Sequence, residues 1–159
     1  MSRMENLLVT LSSKGLTLGS AESLTGGLFG ASVCAIPGAS AVYKGGVISY
    51  SPEVKEKILR VSPDAIADYG VVSAEVAKQM AVGGKDALQV DVCVSCTGNA
   101  GPTAEPGKAP VGRVYLGVCY SGSVWTIPLD FTGDRNTIRK KTVDAMVCFV
   151  ASLFPNVES

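Results

Sequence analysis

Short apolar, β-branched runs alternate with helical segments along this chain, and this alternation limits the fold more than any other feature. Three strand-like runs lie within the first 96 residues: "LTLGSAE" (16–22), "GGVISY" (45–50) and "VDVCVSC" (90–96). Two more, "RVYLGVCY" and "SVWTIPLDF", flank Ser121-Gly122, and this pair predicts a hairpin. The pattern predicts an α/β protein: a three-layer α/β/α sandwich with a mixed, mostly parallel sheet. Since 159 residues suffice for one normal core, we expect a single domain over residues 1–159.

Capping residues indicate where the helices begin. Ser51 followed by Pro52 predicts a helix that runs to about Arg60, and Ser62 repeats that start before a stop at Gly70. Other helices are expected where apolar residues recur at helical spacing, namely around Leu7, Leu8 and Leu11, from Thr25, after Ser73 and from Asp134.

The charge balance argues against several classes of partner. The 14 basic residues equal the 14 acidic ones, so no global basic field exists to attract nucleic acid or anionic lipid. No apolar segment approaches the length of a membrane span, and "MSRMENLLVTLSSKG" lacks the apolar run of a signal peptide. We therefore expect a cytoplasmic protein without a nucleic-acid or membrane partner.

The five cysteines favour free thiols in the core over a disulfide or metal site. Cys93 and Cys96 form a C-x-x-C within a predicted strand, where an offset of three sends side chains to opposite faces. No second pair and no histidine completes a zinc site, so we expect no metal.

Four segments that follow predicted strands are rich in small polar residues. Open α/β sheets place ligands at the carboxyl ends of their strands, so we expect these exits to meet in one cleft. The loop over 97–112 is long for a compact domain, which indicates a functional loop. The four segments are "AESLTGG" (21–27), "SYSPEVK" (49–55), "SCTGNAGP" (95–102) and "FTGDR" (131–135).

The chain contains no histidine, so a hydrolase built on it needs another base. Lys55 is one candidate, because partial burial, an early place in its helix and a nearby cation such as Arg135 would all lower its pKa. A base at neutral pH needs a shift of roughly 3 units from the usual lysine value. The alternative is an ordinary solvated lysine.

Other polar residues also have two interpretations. Thr25-Gly26-Gly27 at a helix start offers backbone donors to an anion, or is a plain cap with tight packing. Ser40 is a loop serine by default, Tyr50 a half-buried strand end, and Arg135 a partner for a nearby carboxylate.

Seven segments in order resemble the CinA carboxy-terminal domain family, whose stand-alone members include nicotinamide-mononucleotide deamidases. The resemblance spans about residues 5–150 and implies the three-layer fold expected above. It does not include the additional amino-terminal domain of larger CinA proteins, so we do not expect that domain's activity. The segments are "AESLTGG", "PGAS", "GGVISYSPEVK", "YGVVSAEVAKQMA", "SCTGNAGP", "PVGRVYLG" and "FTGDRNTIR".

The resemblance implies hydrolysis of the carboxamide of nicotinamide mononucleotide by a serine–lysine pair, without metal or organic cofactor. The matching positions are Ser40 as nucleophile and Lys55 as base, with Ser23 left open as the alternative nucleophile. Tyr50 is expected to orient the lysine or relay a proton.

The resemblance also implies substrate-binding residues. Ser23 and Thr97-Gly98 are expected to donate to the substrate or to the developing oxyanion. Arg135 is expected to contact the phosphate or carboxamide together with the amides at Thr25, Gly26 and Gly27. The amphipathic terminal helices and an edge strand are the surfaces that could support a homodimer or higher homo-oligomer.

The chain departs from the family pattern at four places. Leu24 stands where cysteine is common, Ala39 where a serine often precedes the position of Ser40, and Asn99 where isoleucine is usual. The lysine that usually precedes "PVG" is displaced to Lys108. Two other functions stay open: a non-catalytic nucleotide-binding or regulatory domain, and an amidase for another small amide.

Overall fold

The computed structural model describes residues 1–155 and contains six α-helices and five β-strands in that range. A 3₁₀ turn at Ala39–Ala41 precedes the second strand. In chain order the elements are α1 (Arg3–Ser13), β1 (Leu18–Glu22), α2 (Leu28–Cys34), β2 (Tyr43–Ile48), α3 (Pro52–Lys57), α4 (Pro63–Tyr69), α5 (Ala74–Leu88), β3 (Val92–Gly98), β4 (Arg113–Tyr120), β5 (Ser123–Asp130) and α6 (Arg135–Ser152).

The five strands form one mixed sheet in the order β2-β1-β3-β4-β5. β1 pairs in parallel with both β2 and β3, whereas β4 is antiparallel to β3 and to β5. Four of the five strands therefore run in the same direction, and β4 alone opposes them. Glu22 of β1 lies opposite Ile48 of β2 and Cys96 of β3, so β1 and β2 end at the same level and β3 continues two residues further.

Helices cover both faces of the sheet and confirm the predicted three-layer sandwich. The larger core lies under α1, α2 and α6, where Leu18, Val94 and Leu116 of the sheet are fully buried. The smaller core lies under α5 and includes Ala21, Met80 and Cys93. Alternation along the strands sorts the apolar side chains between these two cores.

Local capping chemistry sets most of the predicted helix starts. The hydroxyls of Ser51, Ser62 and Ser73 accept from the backbone N–H three residues on, and Asp134 caps α6 in the same way. Two predicted helix bounds were wrong, and β2 (Tyr43–Ile48) lies two residues earlier than its predicted run. α2 begins at Leu28 instead of Thr25, and α3 ends at Lys57 instead of Arg60, which has a left-handed φ of 59°.

The cysteines follow the prediction in part. Cys93 and Cys96 are buried on opposite sides of the sheet, and Cys119 is buried as well. Cys34 and Cys148 are exposed, because their helices turn those positions towards solvent, so the prediction of core thiols was wrong for these two. All five thiols are free. Within residues 1–155, no helix is both long and apolar enough to cross a bilayer.

Candidate active site

Lys55 is a buried lysine at the carboxyl edge of the sheet. The short helix α3 carries it, and only 2% of the residue is exposed. Its Nζ donates to Ser23 Oγ at 2.8 Å and to the Ser49 carbonyl at 2.7 Å. The interpretation of Lys55 as an ordinary solvated lysine was therefore wrong.

Burial lowers the pKa of Lys55 from 10.5 to about 8, and a smaller influence of Cys96 opposes this shift. Arg135 is not a cause of the lowered pKa, contrary to the sequence-based expectation. At pH 7.5 roughly a quarter of such lysines are neutral, against about one in a thousand for an unperturbed lysine. Lys55 thus has the property required of a general base near neutral pH.

Ser23 follows the last residue of β1, which lies between β2 and β3 in the sheet, and is itself buried. Its backbone N–H donates to the Cys96 carbonyl at 3.2 Å, so the β1–β3 ladder continues one residue past the strand. The side chain faces Lys55. The backbone that leads to this serine is fixed because β1 is hydrogen-bonded to a strand on each side.

Ser40 lies at the other end of β2 from Lys55. It is an exposed residue of the 3₁₀ turn before β2, and it borders a separate groove with Pro37 and Tyr43. The six residues of β2 span about 20 Å, and Lys55 lies beyond the far end of that strand. The predicted contact between Ser40 and Lys55 is therefore wrong, and Ser23 takes the place beside the lysine.

The turn after β1 is organised by Glu22, a residue with no role predicted from the sequence. Glu22 is 2% exposed, and its Oε1 accepts from Thr25 Oγ1 at 2.7 Å and from the backbone N–H groups of Gly27 and Phe29. Its Oε2 accepts from the N–H of Gly30 at 3.1 Å. A carboxylate at the end of a predicted strand was the signal available in the sequence.

These bonds correct the role expected of Thr25, Gly26 and Gly27. Their predicted use was to offer donors to a substrate anion, but Glu22 takes the Thr25 hydroxyl and the Gly27 N–H. The N–H of Gly26 donates to the Ser23 carbonyl at 3.0 Å. The segment therefore supports the turn that carries Ser23, and an internal carboxylate occupies the start of α2.

Arg139 of α6 is a second support that the sequence did not reveal. Its Nε donates to the Leu24 carbonyl at 3.0 Å, and one terminal nitrogen donates to the Thr25 carbonyl at 2.7 Å. Arg139 is 114 residues from Thr25 along the chain, so no local pattern links the two. Glu22 and Arg139 together hold the turn that follows β1 from two sides.

The four predicted strand exits do meet in one cleft of about 220 Å³, as expected. Apolar residues form part of the wall of this cleft. Lys55 and the polar residues that follow the strands also line it. The lining residues are Ser23, Leu24, Tyr50, Pro52, Lys55, Val71, Val72, Thr97, Gly98, Asn99, Ala100 and Arg135.

Thr97 and Gly98 lie at the end of β3 in this cleft. The Thr97 hydroxyl donates to the Val71 carbonyl at 2.7 Å, so its one proton is already used. Thr97 can accept a hydrogen bond from a ligand, and the role of donor expected from the sequence does not fit. At Gly98 a Cβ would lie 2.8 Å from the Arg113 carbonyl, which explains the glycine.

Arg135 and Tyr50 are joined at the mouth of the cleft. One terminal nitrogen of Arg135 donates to the Tyr50 hydroxyl at 2.8 Å, and the other donates to the Gly101 carbonyl. Tyr50 is 60% exposed and does not contact the Lys55 amine, whose bonded partners are Ser23 and Ser49. The expected orientation of the lysine by Tyr50 has no hydrogen bond behind it, because the Tyr50 hydroxyl is bonded to Arg135 instead.

Among residues 1–155, no three histidine, cysteine, aspartate or glutamate side chains stand close enough to share a metal ion. The polar side chains that line the cleft carry hydroxyls, the Asn99 amide, one buried amine and one guanidinium.

The model of the CinA C-terminal domain matches residues 2–154, so the chain belongs to the CinA C-terminal domain family. It is 42% identical over 147 residues to a CinA-like protein of Geobacter sp. (strain M21), which covers 92% of this chain and 34% of the relative. It is 47% identical over 136 residues to a putative competence-damage inducible protein of Halothermothrix orenii, covering 85% and 33%. The chain spans about a third of the length of these relatives.

Solved structures of similar length share the fold. A competence-damaged protein (CinA) superfamily protein from Escherichia coli has a TM-score of 0.93 at 30% identity, covering 96% of this chain and 88% of that one. A competence/damage inducible protein from Agrobacterium tumefaciens has a TM-score of 0.89 at 30% identity, covering 98% of both.

Proposed function

We propose that this protein is an amidohydrolase that converts nicotinamide mononucleotide to nicotinate mononucleotide and ammonia, with Ser23 as nucleophile and Lys55 as general base. The observation that carries the proposal is the 2.8 Å contact between Lys55 Nζ and Ser23 Oγ, made by a lysine whose pKa is lowered to about 8. The choice of substrate rests on the resemblance to nicotinamide-mononucleotide deamidases of the same family.

In this mechanism neutral Lys55 takes the hydroxyl proton as Ser23 Oγ forms a bond to the carboxamide carbon. The Ser49 carbonyl keeps one N–H of the amine, and this leaves the lone pair free to face Ser23. Each such proton transfer is worth roughly 10²–10⁴ in rate.

The tetrahedral intermediate then collapses. The C–N bond breaks, the Lys55 ammonium gives its proton to the leaving nitrogen, and ammonia departs from an acyl-enzyme ester on Ser23. Water, deprotonated by the same lysine, attacks the ester carbon. The ester C–O bond breaks, the Lys55 ammonium returns its proton to Ser23 Oγ, and the carboxylic acid product releases its own proton to solvent. The products are the carboxylate and a regenerated serine hydroxyl, with Lys55 neutral again.

The charges of the cleft support an anionic substrate. Lys55 and Arg135 are its charged lining residues, and no carboxylate lines it within the described part of the chain. Arg135 lies at the mouth, where it is placed to contact a phosphate, and Val71 and Val72 supply apolar wall for a pyridine ring. Thr97 Oγ1 is an acceptor for the carboxamide N–H₂ group.

The test is ammonia release from nicotinamide mononucleotide, with nicotinate mononucleotide identified by chromatography. Nicotinamide, its riboside and glutamine serve as comparison substrates under the same conditions. The proposal expects turnover of the mononucleotide, much weaker turnover of the riboside because Arg135 loses its partner, and none of glutamine. Preferred turnover of another amide would show that the same residues act on a different substrate. Binding without turnover would indicate a non-catalytic nucleotide-binding domain.

A further inference from the structure

Asn99 is the residue whose side chain closes the long loop between β3 and β4. Its Nδ2 donates to the carbonyls of Thr103 at 3.2 Å and Ala109 at 3.0 Å, and its Oδ1 accepts from the Gly101 N–H at 2.8 Å. Both amide protons and the amide oxygen are thus used within one loop.

The backbone of Asn99 anchors the same loop to the sheet. Its N–H donates to the Arg113 carbonyl at 3.0 Å, and its carbonyl accepts from the Gly112 N–H at 2.8 Å. Residues 102–108 are all exposed, so apolar packing does little to hold them. The hydrogen bonds of Asn99 are therefore the main constraint on this part of the loop.

The loop in turn holds the residues at the mouth of the cleft. The N–H of Gly101 is bonded to Asn99, and its carbonyl accepts from Arg135. Arg135 donates with its other terminal nitrogen to Tyr50. A continuous series of hydrogen bonds therefore leads from Asn99 through Gly101 and Arg135 to Tyr50.

We propose that Asn99 is a positioning residue that sets the affinity for the substrate's anionic group, because it fixes the Gly101 carbonyl that orients Arg135. The inference rests on the proposed function in taking a nucleotide as the ligand. It assigns Asn99 no part in bond making, since Lys55 and Ser23 are held by other elements.

The identity of the side chain follows from the bonds it makes. Aspartate has nearly the same shape but lacks both N–H groups, and its charge would face the carbonyls of Thr103 and Ala109. Alanine removes all three bonds. Both substitutions should therefore loosen the loop: aspartate keeps an acceptor for the Gly101 N–H but sets its charge against two carbonyls, and alanine loses every side-chain bond.

The first experiment is steady-state kinetics of Asn99→Ala and Asn99→Asp with nicotinamide mononucleotide. We expect KM to rise about five- to twentyfold, as for a weakened charge-assisted contact, while kcat changes less than about twofold and the pH profile stays in place. Asn6→Ala, which removes an exposed amide on α1, is the matched control and should behave as wild type. An unchanged KM, or a fall in kcat alone, would overturn the proposal.

A double-mutant cycle separates positioning through Arg135 from general loosening. If Asn99 acts through Arg135, Asn99→Ala should change KM by less than about twofold in an Arg135→Ala background. The same five- to twentyfold rise in both backgrounds would show that Asn99 does not act through the arginine.

Two readouts do not require turnover. Trypsin cleavage after exposed Lys108 should become several times faster in Asn99→Ala, because the bonds to Thr103 and Ala109 are lost. Calorimetric Kd values for the mononucleotide should weaken by the same factor as KM. If wild type binds without releasing ammonia, the proposed function fails while these readouts still decide the role of Asn99. Unchanged cleavage and unchanged Kd, or no binding by wild type, would refute the positioning role of Asn99.

Discussion

Lys55 Nζ lies 2.8 Å from Ser23 Oγ, although the two residues are 32 positions apart and belong to different layers of the fold. Ser23 comes directly after β1, and Lys55 reaches it from α3, the helix that follows the neighbouring strand β2. Both are buried, so the amine is removed from the water that would otherwise stabilise its charge. The fold therefore provides a nucleophile and a base without histidine.

The pH dependence of turnover should report the lysine. Only neutral Lys55 accepts the serine proton, so kcat/KM should rise with pH and level off above a midpoint near 8. Initial rates with nicotinamide mononucleotide between pH 6 and 10 measure this midpoint. A midpoint near 10, or activity that falls as pH rises through 8, would contradict the assignment of Lys55 as the base.

The same lysine should make stability depend on pH. Below pH 8 the amine is charged in both the folded and unfolded states, and between pH 8 and 10.5 it is neutral only in the folded state. The unfolded state then binds more protons, so stability rises with pH, by up to about 3 kcal/mol. Urea unfolding of wild type minus Lys55→Met over this range isolates the contribution of Lys55, since other titrating groups cancel. A difference that does not vary with pH would be inconsistent with the lowered pKa.

Glu22→Gln should destabilise the protein by about 2–4 kcal/mol, because a buried carboxylate that accepts several hydrogen bonds is replaced by a group with fewer acceptors. The new amide nitrogen would face N–H donors at one of the two oxygen positions. Urea unfolding provides the measurement. Glu53→Gln, at an exposed position in α3, is the matched control and should change stability by less than about 0.5 kcal/mol. Equal effects of the two substitutions would argue against Glu22 as the support of this turn.

Tyr50→Phe should lower kcat/KM only about two- to fivefold, because the lost bond is to Arg135 at an exposed site. The midpoint of the pH profile should stay the same, since the hydroxyl does not contact Lys55. Steady-state kinetics across pH tests both points. A loss of 10²-fold or more with a shifted midpoint would restore the proton relay expected from the sequence.

Much of the fold could be predicted because its signals are local. The Ser–Pro starts of α3 and α4 and the Ser121-Gly122 hairpin depend on residues within a few positions of one another. Convergence of the strand exits also followed from the parallel direction of β1, β2 and β3.

The partners within the site could not be predicted, because tertiary contacts decide them. Ser23 and Ser40 are both small polar residues near a turn, and only the position of β2 between Ser40 and Lys55 separates them. The sequence predicted a substrate anion at the start of α2, but the Glu22 carboxylate occupies this place. The backbone N–H groups bonded to it lie five to eight residues further along the chain. Arg139 acts from an element more than a hundred residues away.

The pairing of Ser23 with Lys55 is tested most directly by comparing two serine variants. The measurement is kcat for ammonia release by folded Ser23→Ala and Ser40→Ala proteins, beside wild type. We predict that Ser23→Ala loses at least about 10³-fold, as expected for removal of a covalent nucleophile, whereas Ser40→Ala stays within about twofold. Loss of activity in Ser40→Ala with retention in Ser23→Ala would contradict the account.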